Sequence, residues 1–166
     1  PQRRVAEKFV LARRRRVGET LVEVVAADDP GGFGPALQVV TDEATLLMDS
    51  VTVLLHRLGV AYVALMHPAV WVLRDADGIL TEVGPAGGDC PPGAIEESWI
   101  HIQLSPTVNQ RAVSEAVRLL PMVVTDARQV AADSAALTGA LQHLAHEIAG
   151  DDGTRFPGPD RMDVSY

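Results

Sequence analysis

Asp42, Glu43 and Thr45 gather two carboxylates and a hydroxyl within four residues, and a second acid–hydroxyl pair, Asp49-Ser50, follows shortly after. Such a set could do acid–base chemistry, activate a nucleophile, hold a small ligand or cap a helix. A serine nucleophile needs a sharp elbow with a histidine and an acid oriented behind it. Ser50 instead falls inside a helical pattern, and no Gly-x-Ser-x-Gly is present. The junction at Thr41–Leu47 is different. A strand-like run enters it and a helix-like run leaves it, so backbone N–H groups are exposed at the helix start. Asp42 or Thr45 could cap them, or they could hold a small anion such as an amino-acid carboxylate. Both readings stand at this level, and the candidate binding segment is Asp42, Glu43, Ala44, Thr45, Leu46 and Leu47.

The other chemistry-bearing residues are weaker. His143 and His146, three apart with Glu147 next, could contribute to a metal site. The spelling HLAHE fits neither of the common helical zinc motifs, so both read as surface histidines and no metal is assigned. His67 precedes Pro68 in a strand. His101 lies with Trp99 on the predicted non-core face of another strand, so Trp99 and His101 are candidate interface residues. Cys90 is the single cysteine and lies in a Gly/Pro loop. It reads as a spare thiol, excludes an intrachain disulfide and fits a reducing, cytoplasmic compartment. The acidic pairs 28–29, 96–97 and 151–152 read as solvated turns. The glycine-rich PGGFGP (30–35) lacks Gly-Lys-Ser/Thr, so it is no phosphate loop.

These residues are positioned by short elements. Residues 2–12 have helical spacing, 20–26 and 36–40 read as strands, and 44–58 as an amphipathic helix stopped by Gly59. The run 60–74 is β-rich and interrupted by Pro68; with the turn Asp75–Gly78 and the strand 79–83 it predicts a hairpin over 69–83. Residues 97–104 alternate, with Ile100, Ile102 and Leu104 facing a core. From 108 the chain is helical, with a break or kink at Pro121 and a second helix over 122–149. The order predicts an α+β fold, a mostly antiparallel sheet with helices packed on one face around a split β-α-β unit. The organisation read is an N-terminal helix and basic segment (1–19), a domain with a C-terminal helical extension (20–149) and a turn-rich tail (150–166).

Charge narrows the partners. Of 166 residues the first sixteen carry seven of the fourteen basic groups and one acid, leaving the rest near -14 within a net -8. An acidic body argues against nucleic acid, and Arg13–Arg16 reads as a solvated face or a contact to an acidic partner. No apolar run approaches the length of a membrane span. The start at Pro1, without methionine, reads as a fragment or a processed chain.

Several spaced motifs resemble the N-terminal region of the large bacterial NAD-dependent glutamate dehydrogenases. They are Asp42-Glu43 with Leu47, Asp49-Ser50-Val51, Gly59, His67-Pro68, Arg74-Asp75, Asp77-Gly78 and Glu97-Ser98-Trp99-Ile100-His101-Ile102. The similarity runs over about 9–132 and, with the Ala/Val/Asp-rich composition, suits an actinobacterial source. It implies an ACT-like (ferredoxin-like) domain, a fold associated with amino-acid sensing and oligomer contacts. The implied role is a non-catalytic regulatory and assembly domain. The parent would convert L-glutamate to 2-oxoglutarate and ammonia with NAD, through a catalytic region lying elsewhere. It implies no catalytic residue and no cofactor in these residues. The implied partners are other domains and subunits of a homo-oligomer and an amino-acid effector. The alternative is a purely structural contact module. No final strand follows Pro121, and 20–26 is the candidate to replace it.

Overall fold

A computed structural model describes residues 10–28 and 34–150. The chain divides into two units, residues 1–131 and 132–166. In the first, a 3-10 turn (Val10–Arg13) is followed by β1 (Leu21–Val25), β2 (Ala36–Asp42), α1 (Leu47–Leu58), β3 (Tyr62–Met66), β4 (Ala69–Arg74), β5 (Leu80–Pro85) and β6 (Ile95–Leu104). The last helix, α2, runs over Gln110–Gly150.

The six strands form one antiparallel sheet in the order β1-β2-β6-β4-β5, with β3 also on β6. β6 is the centre. One of its edges takes β2 over Ala36–Asp42, and the other takes β4 near Glu97 and β3 near Ile102. Pro68 lies where β3 ends and β4 begins, so two short strands share one edge of a ten-residue strand. β2 and β3, each antiparallel to β6, are joined through α1, which is the split β-α-β unit that the sequence predicts. β1 adds outside β2 in the position proposed for it.

Alternation along the strands sorts two cores. Leu37, Val39, Ile100, Ile102 and Leu104 meet α1 residues Leu47, Val51, Leu54 and Leu55 and α2 residues Val113, Ala116, Leu120 and Val124. The opposite face was expected to be wetter or covered by a partner. Here the correction is plain: Trp99 packs there with Ala12, Val40 and Val72, so the chain covers this part of the sheet itself.

The helix boundaries also differ from expectation. α1 begins at Leu47, a turn later than residue 44, after Leu46 takes a left-handed conformation (φ 66°). Gly59 ends it in the same region of backbone space, with its N–H on the His56 carbonyl and that of Val60 on Leu55. Pro121 does not end α2. A proline inside a helix costs about 3 kcal/mol, through the lost N–H bond and the clash of its ring with the preceding turn, and buried side chains on both sides (Ala116, Leu120, Val124, Ala127) offset it. The readings at residues 2–9, 30–33 and 151–166 lie outside the described residues.

The β4–β5 turn receives the segment after the 3-10 turn. Arg15 N–H donates to the Gly78 carbonyl at 3.0 Å, and Arg14 bridges Ile79. Gly78 has φ +78°, and a Cβ there would lie 2.6 Å from the Arg15 carbonyl oxygen. Gly78→Ala is therefore expected to cost roughly 2 kcal/mol or more, from left-handed strain plus a backbone clash. Urea unfolding tests this, and a loss under about 0.5 kcal/mol would show that the segment can lift away freely.

Candidate functional site

The elbow between β2 and α1 is built from an outward strand end and a helix start without a side-chain cap. Thr45 and Leu46 are exposed and Leu47 is buried. Neither Asp42 nor Thr45 caps α1, which corrects the capping expectation. Asp42 is turned to other donors instead. It accepts from the Arg15 guanidinium, from the Gly18 N–H at 2.9 Å and from Arg128 Nη2 at 2.5 Å.

Arg15 links the elbow to a buried charge cluster. Its Nε and Nη2 donate to Glu97 Oε1 at 2.9 and 2.8 Å, and its Nη1 donates to the Glu19 carbonyl. Arg74 spans both Glu97 oxygens at 2.7 and 2.9 Å and also donates to the carbonyls of Gly78 and Ala12. Trp99 Nε1–H donates to Glu97 Oε2 at 2.9 Å. Arg15 and Glu97 are fully buried. Burial alone would raise the Glu97 pKa. Hydrogen bonds from Arg74, Trp99 and Arg15 and the charge of Arg15 outweigh it and hold the carboxyl below its usual 4.5. A buried ion is tolerated only when it is paired and hydrogen-bonded in this way.

On the helix side of the elbow, Glu43 accepts from the Ser98 hydroxyl, and His67 Nε2 lies 2.8 Å from the same oxygen. Ser98 has one proton, which goes to the carboxylate, so Nε2–H of His67 must donate to Ser98. His67 Nε2 is also 3.5 Å from Glu43. This trio is no hydrolytic triad: the acid approaches the same ring nitrogen as the hydroxyl, so it cannot orient the histidine as a base from behind.

The comparisons agree with the fold. Residues 5–118 match the family model described as "Glutamate dehydrogenase, ACT1 domain". The chain belongs to that family. It is 48% identical over 156 residues to the NAD-specific glutamate dehydrogenase of Mycobacterium tuberculosis, an alignment covering 94% of this chain and 10% of the relative. The chain thus spans about a tenth of that relative's length.

Within this ACT1 domain, the structure gathers Asp42 and Glu43 at one end of the sheet but points them into different clusters. Ala44 is half-buried beside the exposed Thr45–Leu46. Trp99 and His101 are 1% and 2% exposed, so neither side chain presents a surface to a partner. Gln38 lies 3.4 Å from His101 Nδ1. His143 and His146 are exposed, and Glu147 lies outside the residues whose side chains are described. Among the described residues no helix is long and apolar enough to cross a membrane. Arg15 and Arg128 are residues that sequence reading missed, and Glu97, read as part of a solvated turn, is instead fully buried within β6. A signal existed for the first: a carboxylate at Glu97, two residues from Trp99 on one strand face, needs buried cations.

Proposed function

We propose that this ACT1 domain regulates and helps to assemble an NAD-dependent glutamate dehydrogenase without taking part in catalysis. The parent would interconvert L-glutamate with 2-oxoglutarate and ammonia in the cytoplasm, as a homo-oligomer. The family match supports this, together with the printed name of the M. tuberculosis relative. One structural observation carries the regulatory part: the uncapped start of α1 beside the partly exposed carboxylates of Asp42 and Glu43. An α-amino acid offers a carboxylate to those helix N–H groups and an ammonium to the carboxylates.

Calorimetric titration with L-glutamate, L-aspartate and L-leucine tests the effector. The expected result is saturable heat from at least one, with a stabilisation of about 2.7 kcal/mol at a hundredfold excess over Kd. No heat and no thermal shift with any of the three would sink the sensor reading.

A second, purely structural reading is favoured by one specific observation: Asp42 and Glu43 are already engaged within the chain. Deleting the domain from the parent and measuring its mass in solution tests it. An unchanged oligomer counts against assembly.

A further inference from the structure

Asp42 is shared by two arginines that differ in their access to solvent. The Arg15 side chain is 0% exposed, whereas Asp42 and Arg128 are 20% and 24% exposed. Arg128 therefore holds the position that a solute can contest. Its contact closes a small ring: Gly18 N–H donates to Asp42 Oδ2, while Arg128 donates to that oxygen through Nη2 and to the Gly18 carbonyl through Nη1 at 2.9 Å.

Arg128 also occupies a critical place on α2. Between residues 125 and 131 the only fully buried side chain is Ala127, with Ala131 half-buried, so apolar packing of this segment amounts to little more than one methyl group. From residue 132 to 146 every side chain is exposed. A methyl buries little apolar area, whereas a hydrogen-bonded ion pair that is partly shielded from water contributes more than an exposed one. Arg128 lies outside the 5–118 family segment, while Asp42 lies within it.

We propose that the Arg128–Asp42 pair is a releasable clasp. It fastens the last packed turn of α2 to the elbow, and an ammonium-bearing ligand that takes Asp42 displaces Arg128 and frees that turn. The exchange is one cation for another, so the Asp42 charge stays balanced while Arg15 remains in place. The ligand half of the proposal rests on the effector reading above; the fastening half rests on the contacts alone.

Amide hydrogen exchange on the whole chain tests both halves. In Arg128→Ala, exchange over residues 122–131 should rise about tenfold, with α1 and β6 unchanged. Arg128→Lys, which can reach Asp42 but cannot also fork to Gly18, should give an intermediate rise. Equal exchange in wild type and Arg128→Ala overturns the clasp, as does a rise spread through the sheet. L-glutamate, L-aspartate and L-leucine, against sodium chloride at equal ionic strength, should accelerate the same turn in the wild type and leave Arg128→Ala unmoved. Calorimetric binding without this acceleration overturns the displacement while the effector reading survives. A faster turn in Arg128→Ala, with no amino acid binding at all, leaves the fastening intact and removes the ligand half.

Discussion

Glu97→Gln is expected to destabilise the domain by roughly 3–5 kcal/mol, the usual cost of removing one partner of a buried ion pair. Gln keeps the shape and one acceptor oxygen but not the charge. Arg15 would retain Asp42 and a carbonyl, while Arg74 would retain carbonyls and at most the amide oxygen, so the Arg74 guanidinium would be left buried without a carboxylate partner. Urea unfolding followed by circular dichroism measures the loss. A change below about 1 kcal/mol would mean that Asp42 alone balances the cluster.

The same residue sets an acid limb. Its folded pKa lies below the usual 4.5, so the folded state favours the ionised form more than the unfolded chain does. Stability from this group is therefore fully present above 4.5 and is lost as pH falls from there through the folded value. The wild-type urea midpoint should drop across that window more steeply than that of Glu97→Gln. Parallel curves would assign the acid sensitivity to other carboxylates.

The backbone was more legible than the charges. Alternation at Ile100, Ile102 and Leu104 and the helical spacing of Val51, Leu54 and Leu55 foretold which faces meet, because burial of one face fixes those periods. Gly59 and the Asp75–Gly78 turn marked ends correctly, because each meets a local backbone requirement. Pairing is another matter. Arg15 and Glu97 are 82 residues apart, and no local period links them. The arginine run was read as a solvated face or a contact to an acidic partner. The acidic partner of Arg15 is inside its own domain. Asp42 illustrates the competition most clearly. A carboxylate before a helix is a natural cap for N–H dipoles, but two guanidiniums are stronger donors for it, and tertiary contact won. The motif residues Arg74, Gly78, Glu97 and Trp99, which the resemblance brought forward without assigning a role, turn out to bind one another.

Trp99→Ala should be the other large effect, with a loss of roughly 3–5 kcal/mol for a buried aromatic truncated in a packed core. The indole joins Ala12, Val40 and Val72, against which Leu21, Val70, Leu80 and Ile95 also pack, so the cavity opens between the sheet and the segment carrying Arg15. The truncation also deletes the Nε1 donor to Glu97. Trp99→Phe separates the two contributions. It keeps much of the packing and loses the charge-assisted hydrogen bond, so about 1.5–3 kcal/mol should remain lost. The placement of Trp99 on a strand face suggested an interface from sequence, and an interface role makes the opposite prediction. It would leave the isolated chain's urea midpoint nearly unmoved and change the mass of the assembled parent instead. A large midpoint shift in the isolated chain means that Trp99 acts by holding Glu97, Arg15 and Arg74 in register. Any effect of the substitution on an assembly would then follow from the loss of that internal frame, and Trp99→Phe, which keeps part of the frame, should show a smaller one.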